Sequence, residues 1–127
     1  MHFSSYSPGL CQQALQAGPM LVKPGGTNGI SSGEQKVKAP YVRTAICLSN
    51  NTELKIIITL DKTHLFSMAK WLVSPKESGG VGCQSALNLS GDTSSGIIIK
   101  PPSKKALTYI GDGSFSIPSA IIIENQN

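Results

Sequence analysis

Short apolar runs separated by polar, glycine-rich stretches set the rhythm of this chain. Met20-Leu21-Val22 predicts a first strand. Tyr41 to Leu48 alternates and is rich in β-branched residues, which predicts a second. Ser49 to Thr52 supplies a turn, and Leu54 to Leu60 then predicts a third strand, paired with the second as a hairpin. The apolar run in that strand implies burial on both of its faces. Leu65, Met68, Ala69, Leu72 and Val73 recur at helical spacing, with Thr63 as N-cap and Pro75 as the stop. Ala86 to Leu89 reads as a buried strand that opens into a polar turn, Ser90 to Ser95, and the plainest reading of that turn is a hairpin with the apolar run that follows it. Ile97 to Ile99, Leu107 to Ile110 and Pro118 to Ile123 complete the set of strands. Residues 23–39 read as a long exposed loop, and Glu77 to Gly82 as a flexible connector. The predicted class is α+β: one domain over residues 1–127, with a mixed β-sheet covered by one or two helices.

Composition narrows the partners. Hydrophobic residues make up 39% of the 127 residues and charged residues 14%, which is a folding composition rather than a disordered one. The formal charge is +4, yet the lysines are scattered without interleaved aromatic residues, so no nucleic-acid track is expected. No apolar run reaches the roughly 18 to 20 residues that a membrane-spanning helix needs. The start, Met1 to Pro8, has neither a basic region nor an apolar core, so it does not read as a signal peptide. The expected compartment is therefore periplasmic or extracellular if an export signal precedes this chain, and cytoplasmic otherwise. Cys11, Cys47 and Cys83 show no Cys-x-x-Cys spacing and lie far from His2 and His64, which argues against zinc. One disulfide with one free thiol, or three reduced thiols, both fit the sequence.

The chemistry-bearing residues are few. There is no Gly-x-Ser-x-Gly elbow, no Walker loop and no dinucleotide fingerprint. Cutting a glycosidic bond by acid–base chemistry normally takes two carboxyl groups about 5 to 9 Å apart. Asp92 and Asp112 both lie in glycine-rich turns and form the pair suggested by the residues alone. For Asp112 the plainer and favoured reading is a solvent-facing turn residue. Arg43, the single arginine, lies in a strand that otherwise looks buried, where a charge must have a partner. A guanidinium is suited to gripping a phosphate with two parallel hydrogen bonds. The strand's alternation also allows Arg43 to face outward.

Four segments carry a resemblance when taken in order. Ala14-Leu15-Gln16-Ala17-Gly18-Pro19-Met20-Leu21-Val22 is similar to Ala-Leu-Gln-x-Gly-Pro-x-Leu-Val. Arg43-Thr44-Ala45-Ile46 is similar to Arg-Thr-Ala-Ile-Gly. The strand from Leu54 to Leu60 is followed by a helix. Gly82-Cys83-Gln84-Ser85-Ala86-Leu87-Asn88-Leu89-Ser90-Gly91-Asp92-Thr93-Ser94-Ser95 is similar to Gly-Cys-x-x-Ala-Leu-Asn-Leu-Asp-Gly-Gly-x-Ser-Ser, and the closing Pro118 to Ile122 to Pro-Asn-Ala-Ile-Val. Together, over roughly residues 11–123, the chain resembles the phosphodiester glycosidase family. That family includes the enzyme that uncovers mannose 6-phosphate on lysosomal hydrolases and many bacterial exported proteins.

The resemblance implies hydrolysis of a sugar-1-phosphodiester; no cofactor and no metal ligand is read from the sequence. It implies Asp92 and Ser90 as the catalytic positions. Arg43, Thr44, Asn88, Gly91, Ser94, Ser95, Gly18 and Gln16 would bind the substrate, a sugar phosphodiester or other glycan. The sequence departs from the family in two ways. The family's Asp falls on Ser90 and its second Gly on Asp92, so the carboxylate is lost or moved two positions. The family's Asn-Gly-Gly-Phe-like N-terminal part is also missing from this chain, which would leave strand edges open and favour a homo-oligomer. The alternative is therefore a degenerate glycan- or phosphosugar-binding module. A purely structural role is the third reading.

Overall fold

The computed structural model describes residues 14–33, 39–50, 52–102, 107–111, 116–117 and 119–124. Asp112, Cys11 and Pro118 fall outside the described residues. The elements are β1 (Met20–Lys23), β2 (Thr27–Asn28), β3 (Arg43–Ser49), β4 (Glu53–Ile58), α1 (Leu65–Val73), β5 (Ser85–Gly91), β6 (Gly96–Ile99) and β7 (Thr108–Gly111). Five strands form one sheet in the order β2-β1-β5-β3-β4, while β6 and β7 form a separate ribbon.

The fold is mostly sheet with one helix, so α+β holds in outline. The expected mixed sheet is corrected: every pairing among the described strands is antiparallel. The reason lies in the connection through α1. It joins β4 to β5, which run parallel to each other, but β3 lies between them and is antiparallel to both.

The α1 period forms as the spacing predicts. Leu65, Met68, Ala69 and Leu72 are its buried stripe. They pack on Leu21, Val22, Ala45, Cys47 and Ala86 from one face of the sheet, with Ile30 and Cys83 completing the core. The helix begins one residue later than expected. His64 is the N-cap and makes no side-chain cap bond. Thr63 remains extended because it forms a β-bridge with Tyr41, each amide donating to the other's carbonyl.

Among the described residues α1 is the one α-helix, and the sheet's second face is partly open towards the β4 edge. Alternation places Leu54, Ile56 and Ile58 on that face, across from Leu48, Ile46 and Thr44. Leu54 is 55% exposed and Ile56 37%, so the expected burial of this strand on both faces is wrong. Ile57, on the helix side, packs against the core.

Three further expectations change. The loop over 23–39 is anchored by β2, by the Gly29 amide on the Leu21 carbonyl, and by buried Ile30. The strand β5 does not form a hairpin with β6; it inserts at the centre of the large sheet, and β6 pairs with β7. Residues 119–123 are not in a strand and are exposed. Of the cysteine alternatives, a disulfide is formed, between Cys47 and Cys83.

Candidate functional site

The site is built where β3 begins and β5 ends. Arg43 is 5% exposed, so its strand position faces inward. Its Nε donates to the Thr63 carbonyl at 3.0 Å, and Nη2 reaches the Ala39 carbonyl at 3.5 Å. The Tyr41 ring centroid lies 5.5 Å from the guanidinium carbon, a cation–π contact. Burial pushes the Arg43 pKa below its ordinary value, and Tyr41 partly offsets this. Arginine nevertheless keeps its proton. Among the described residues no carboxylate lies within ion-pair distance of it. The result is a buried positive charge held by neutral carbonyls and a ring.

The backbone opposite makes room for this group. Gly91 pairs with Arg43, and a Cβ at Gly91 would lie 3.0 Å from Nη1. Gly91→Ala is therefore expected to push the guanidinium out of place while the sheet still forms. The check is phosphate-dependent stabilisation, which should drop at least several-fold while far-UV circular dichroism stays unchanged.

Asn88 lies on the same face, opposite Ala45, two positions along β3 from Arg43. It is 6% exposed. Its Nδ2 donates to the Gly18 carbonyl at 3.0 Å, and its backbone amide donates to the Pro19 carbonyl at 3.0 Å. Its Oδ1 is buried with no partner among the described residues, and so is Thr44 Oγ1. An unpaired buried acceptor costs stability, so Asn88 Oδ1 is a ready acceptor for a hydroxyl hydrogen.

The remaining predicted residues separate into two groups. A bulge in β5 lies between Asn88 and Ser90 and carries Ser90 opposite Thr44, on the row away from Arg43 and Asn88. Ser90 and Ser94 share a hydrogen bond between their hydroxyls, and Ser94 also donates to the Gly91 carbonyl at 3.1 Å. Ser95 is 1% exposed and donates to the Val42 carbonyl at 3.1 Å. These hydroxyls therefore shape the loop. Asp92 opens its 3-10 turn in the left-handed region at φ 66, with its side chain exposed and its amide on the Val42 carbonyl. Gln16 is exposed, and Gly18 contributes through its carbonyl.

The structure thus brings together Arg43, Asn88, Gly91 and Gly18. The sequence reading missed the partners of Arg43, among them Tyr41 and the Thr63 carbonyl. Tyr41 could have been found, since it shares a strand face with Arg43 at a separation of two. The Thr63 carbonyl could not, because a backbone acceptor leaves no mark in residue type. A cavity of about 350 Å³ lined by Ser49, Lys76 and Gln84 lies at the opposite end of β3 and belongs to none of this. Chemically, one face of the sheet carries a fixed positive fork at Arg43 and an amide acceptor at Asn88, opposite the position two residues along β3. That suits an anion that also carries hydroxyls.

The sequence model of the phosphodiester glycosidase family matches residues 5–124. No curated protein and no solved structure matches the chain.

Proposed function

This chain belongs to the phosphodiester glycosidase family, and from that premise we propose that it hydrolyses a sugar-1-phosphodiester. Water would add across the bond between the anomeric carbon and the phosphate oxygen, releasing a free sugar and a phosphomonoester. The observation that carries the proposal is the buried Arg43 guanidinium, which has no carboxylate partner among the described residues. A bound phosphate would complete it, and the oxygens would accept from the planar fork. Asn88 Oδ1 would accept from a sugar hydroxyl, and Asp92 would serve as acid or base. Ser94 and Ser95 would hold the loop.

One observation favours a second reading, binding without catalysis. The position of the family's Asp is Ser90, whose hydroxyl is engaged by Ser94 and faces away from Arg43. Two variants separate the readings. Asp92→Gly removes a left-handed strain of about 1 kcal/mol and should raise the melting temperature slightly. Asp92→Asn tolerates that conformation and leaves the backbone alone. If Asp92 is the acid or base, both variants will lose sugar release by about a hundredfold or more, measured on a synthetic sugar phosphodiester. Unchanged release in both would remove Asp92 from the mechanism. Release absent from the wild type, restored by Ser90→Asp, would establish the degenerate reading.

The disulfide also supports a location. Such bonds persist in oxidising compartments, so the chain is proposed to work in the periplasm or outside the cell.

A further inference from the structure

The turn between β3 and β4 reads Asn50-Asn51-Thr52, the Asn-x-Thr pattern that accepts N-linked glycans. A second match, Asn88-Leu89-Ser90, lies inside β5. We propose that Asn50, and not Asn88, is a glycosylation site, modified when the chain meets an oligosaccharide carried on a lipid diphosphate. The new bond runs from Asn50 Nδ2 to the anomeric carbon of the first sugar. The amide gives up one proton and the lipid diphosphate leaves, so no oxidant or reductant takes part.

Three observations select Asn50. It is exposed at the end of β3, with φ 55, in the left-handed region that a tight turn presents outward. Thr52, the other recognised residue, is also exposed, and its hydroxyl donates to the Asn50 carbonyl at 3.2 Å, so both stand together at the turn. Residue 51 enters only as the spacer, where the pattern excludes proline alone. Asn88, by contrast, is buried in a central strand with its amide nitrogen on the Gly18 carbonyl. A folded chain cannot offer that nitrogen to a transferase. The Cys47–Cys83 disulfide fits an exported chain, and an exported chain can meet an N-linked transferase where its host's export route carries one.

A glycan here would sit away from the proposed site. Arg43 opens β3 and Asn50 lies just past its end, about 23 Å away at roughly 3.3 Å per residue. The glycan would flank the start of β4, whose outer edge is unpaired among the described strands and carries exposed Leu54 and Ile56. A bulky solvated group beside such an edge blocks its pairing with other chains. The inference is independent of the catalytic reading.

The test is to produce the full chain behind a cleavable export signal in a eukaryotic secretory host. Total protein, from cells and medium together, is treated with peptide-N-glycosidase in heavy-oxygen water and mapped by mass spectrometry. The expected result is a mobility shift on treatment, with Asn50 converted to labelled aspartate and Asn88 unlabelled. Thr52→Ala should abolish the shift while leaving Asn50 in place, and Asn50→Gln should do the same. An unshifted wild-type chain would overturn the proposal, as would label at Asn88 or a shift that survives Thr52→Ala.

Discussion

Replacing Cys47 and Cys83 together by alanine will lower the stability of the domain by about 4 kcal/mol. The bond spans 36 residues in sequence. On the loop-closure scale a 15-residue loop gives about 3 kcal/mol and a 100-residue loop about 4.7, so this one falls between them. Domains of this size have about 5 to 15 kcal/mol in total, so the bond is a large share. Among the described residues the remaining core is small, because α1 covers one face of the sheet and Leu54 and Ile56 on the other are exposed. The bridge ties the middle of β3 to the segment that feeds β5. There the Cys83 amide is also held by the Leu72 carbonyl, and the Gln84 amide by the Leu48 carbonyl. The thermal midpoint should fall by roughly 15 °C, and reduction of the wild type with a dithiol should reproduce the fall. An unmoved midpoint in both cases would show that the sheet and helix suffice without the bond.

Arg43→Met will separate stability from binding. In the unliganded protein the variant should melt at or slightly above the wild type. A buried charge held only by carbonyls and a ring is costly, and an apolar side chain of similar length removes that cost. The Thr63 and Ala39 carbonyls lose a donor, which offsets part of the gain. With a phosphomonoester at a hundred times its dissociation constant, the wild type should gain about 2.7 kcal/mol and the variant nothing. Sugar release should fall by about a hundredfold to a thousandfold, the range for a lost charge-stabilising donor. A Met variant that loses several kcal/mol without ligand, while still responding to phosphate, would make Arg43 a structural residue and end its assignment to the site.

Local pattern made much of this fold readable. The β3–β4 hairpin follows from alternation plus a short turn, and α1 follows from its apolar spacing. Neighbour order did not follow, because nothing within Ser85–Gly91 says that it lies between β1 and β3. The burial of β4 was misjudged for a related reason. An apolar run states what a strand tolerates, not what covers it, and the second helical layer that Leu54 and Ile56 would need is absent among the described residues. At the site, Arg43 was legible because a lone charge in an apolar strand requires an explanation. Ser90 was placed by motif alignment, and the bulge that moves it to the other row is a property of backbone pairing, which the residue letters do not carry.

The insertion of β5 at the centre of the sheet has a bearing on how the chain assembles as it is made. The β3–β4 hairpin and α1 are close in sequence and can form as soon as they emerge. The first strand cannot join them: its neighbour on the β3 side is β5, paired through Met20 with Leu87 and Val22 with Ala86. The amino-terminal strands must therefore wait, unpaired on that side, until nearly seventy further residues have been synthesised. The last strand of the large sheet to be made both completes the sheet and delivers Asn88 and Gly91 to Arg43. The site cannot exist before the sheet closes.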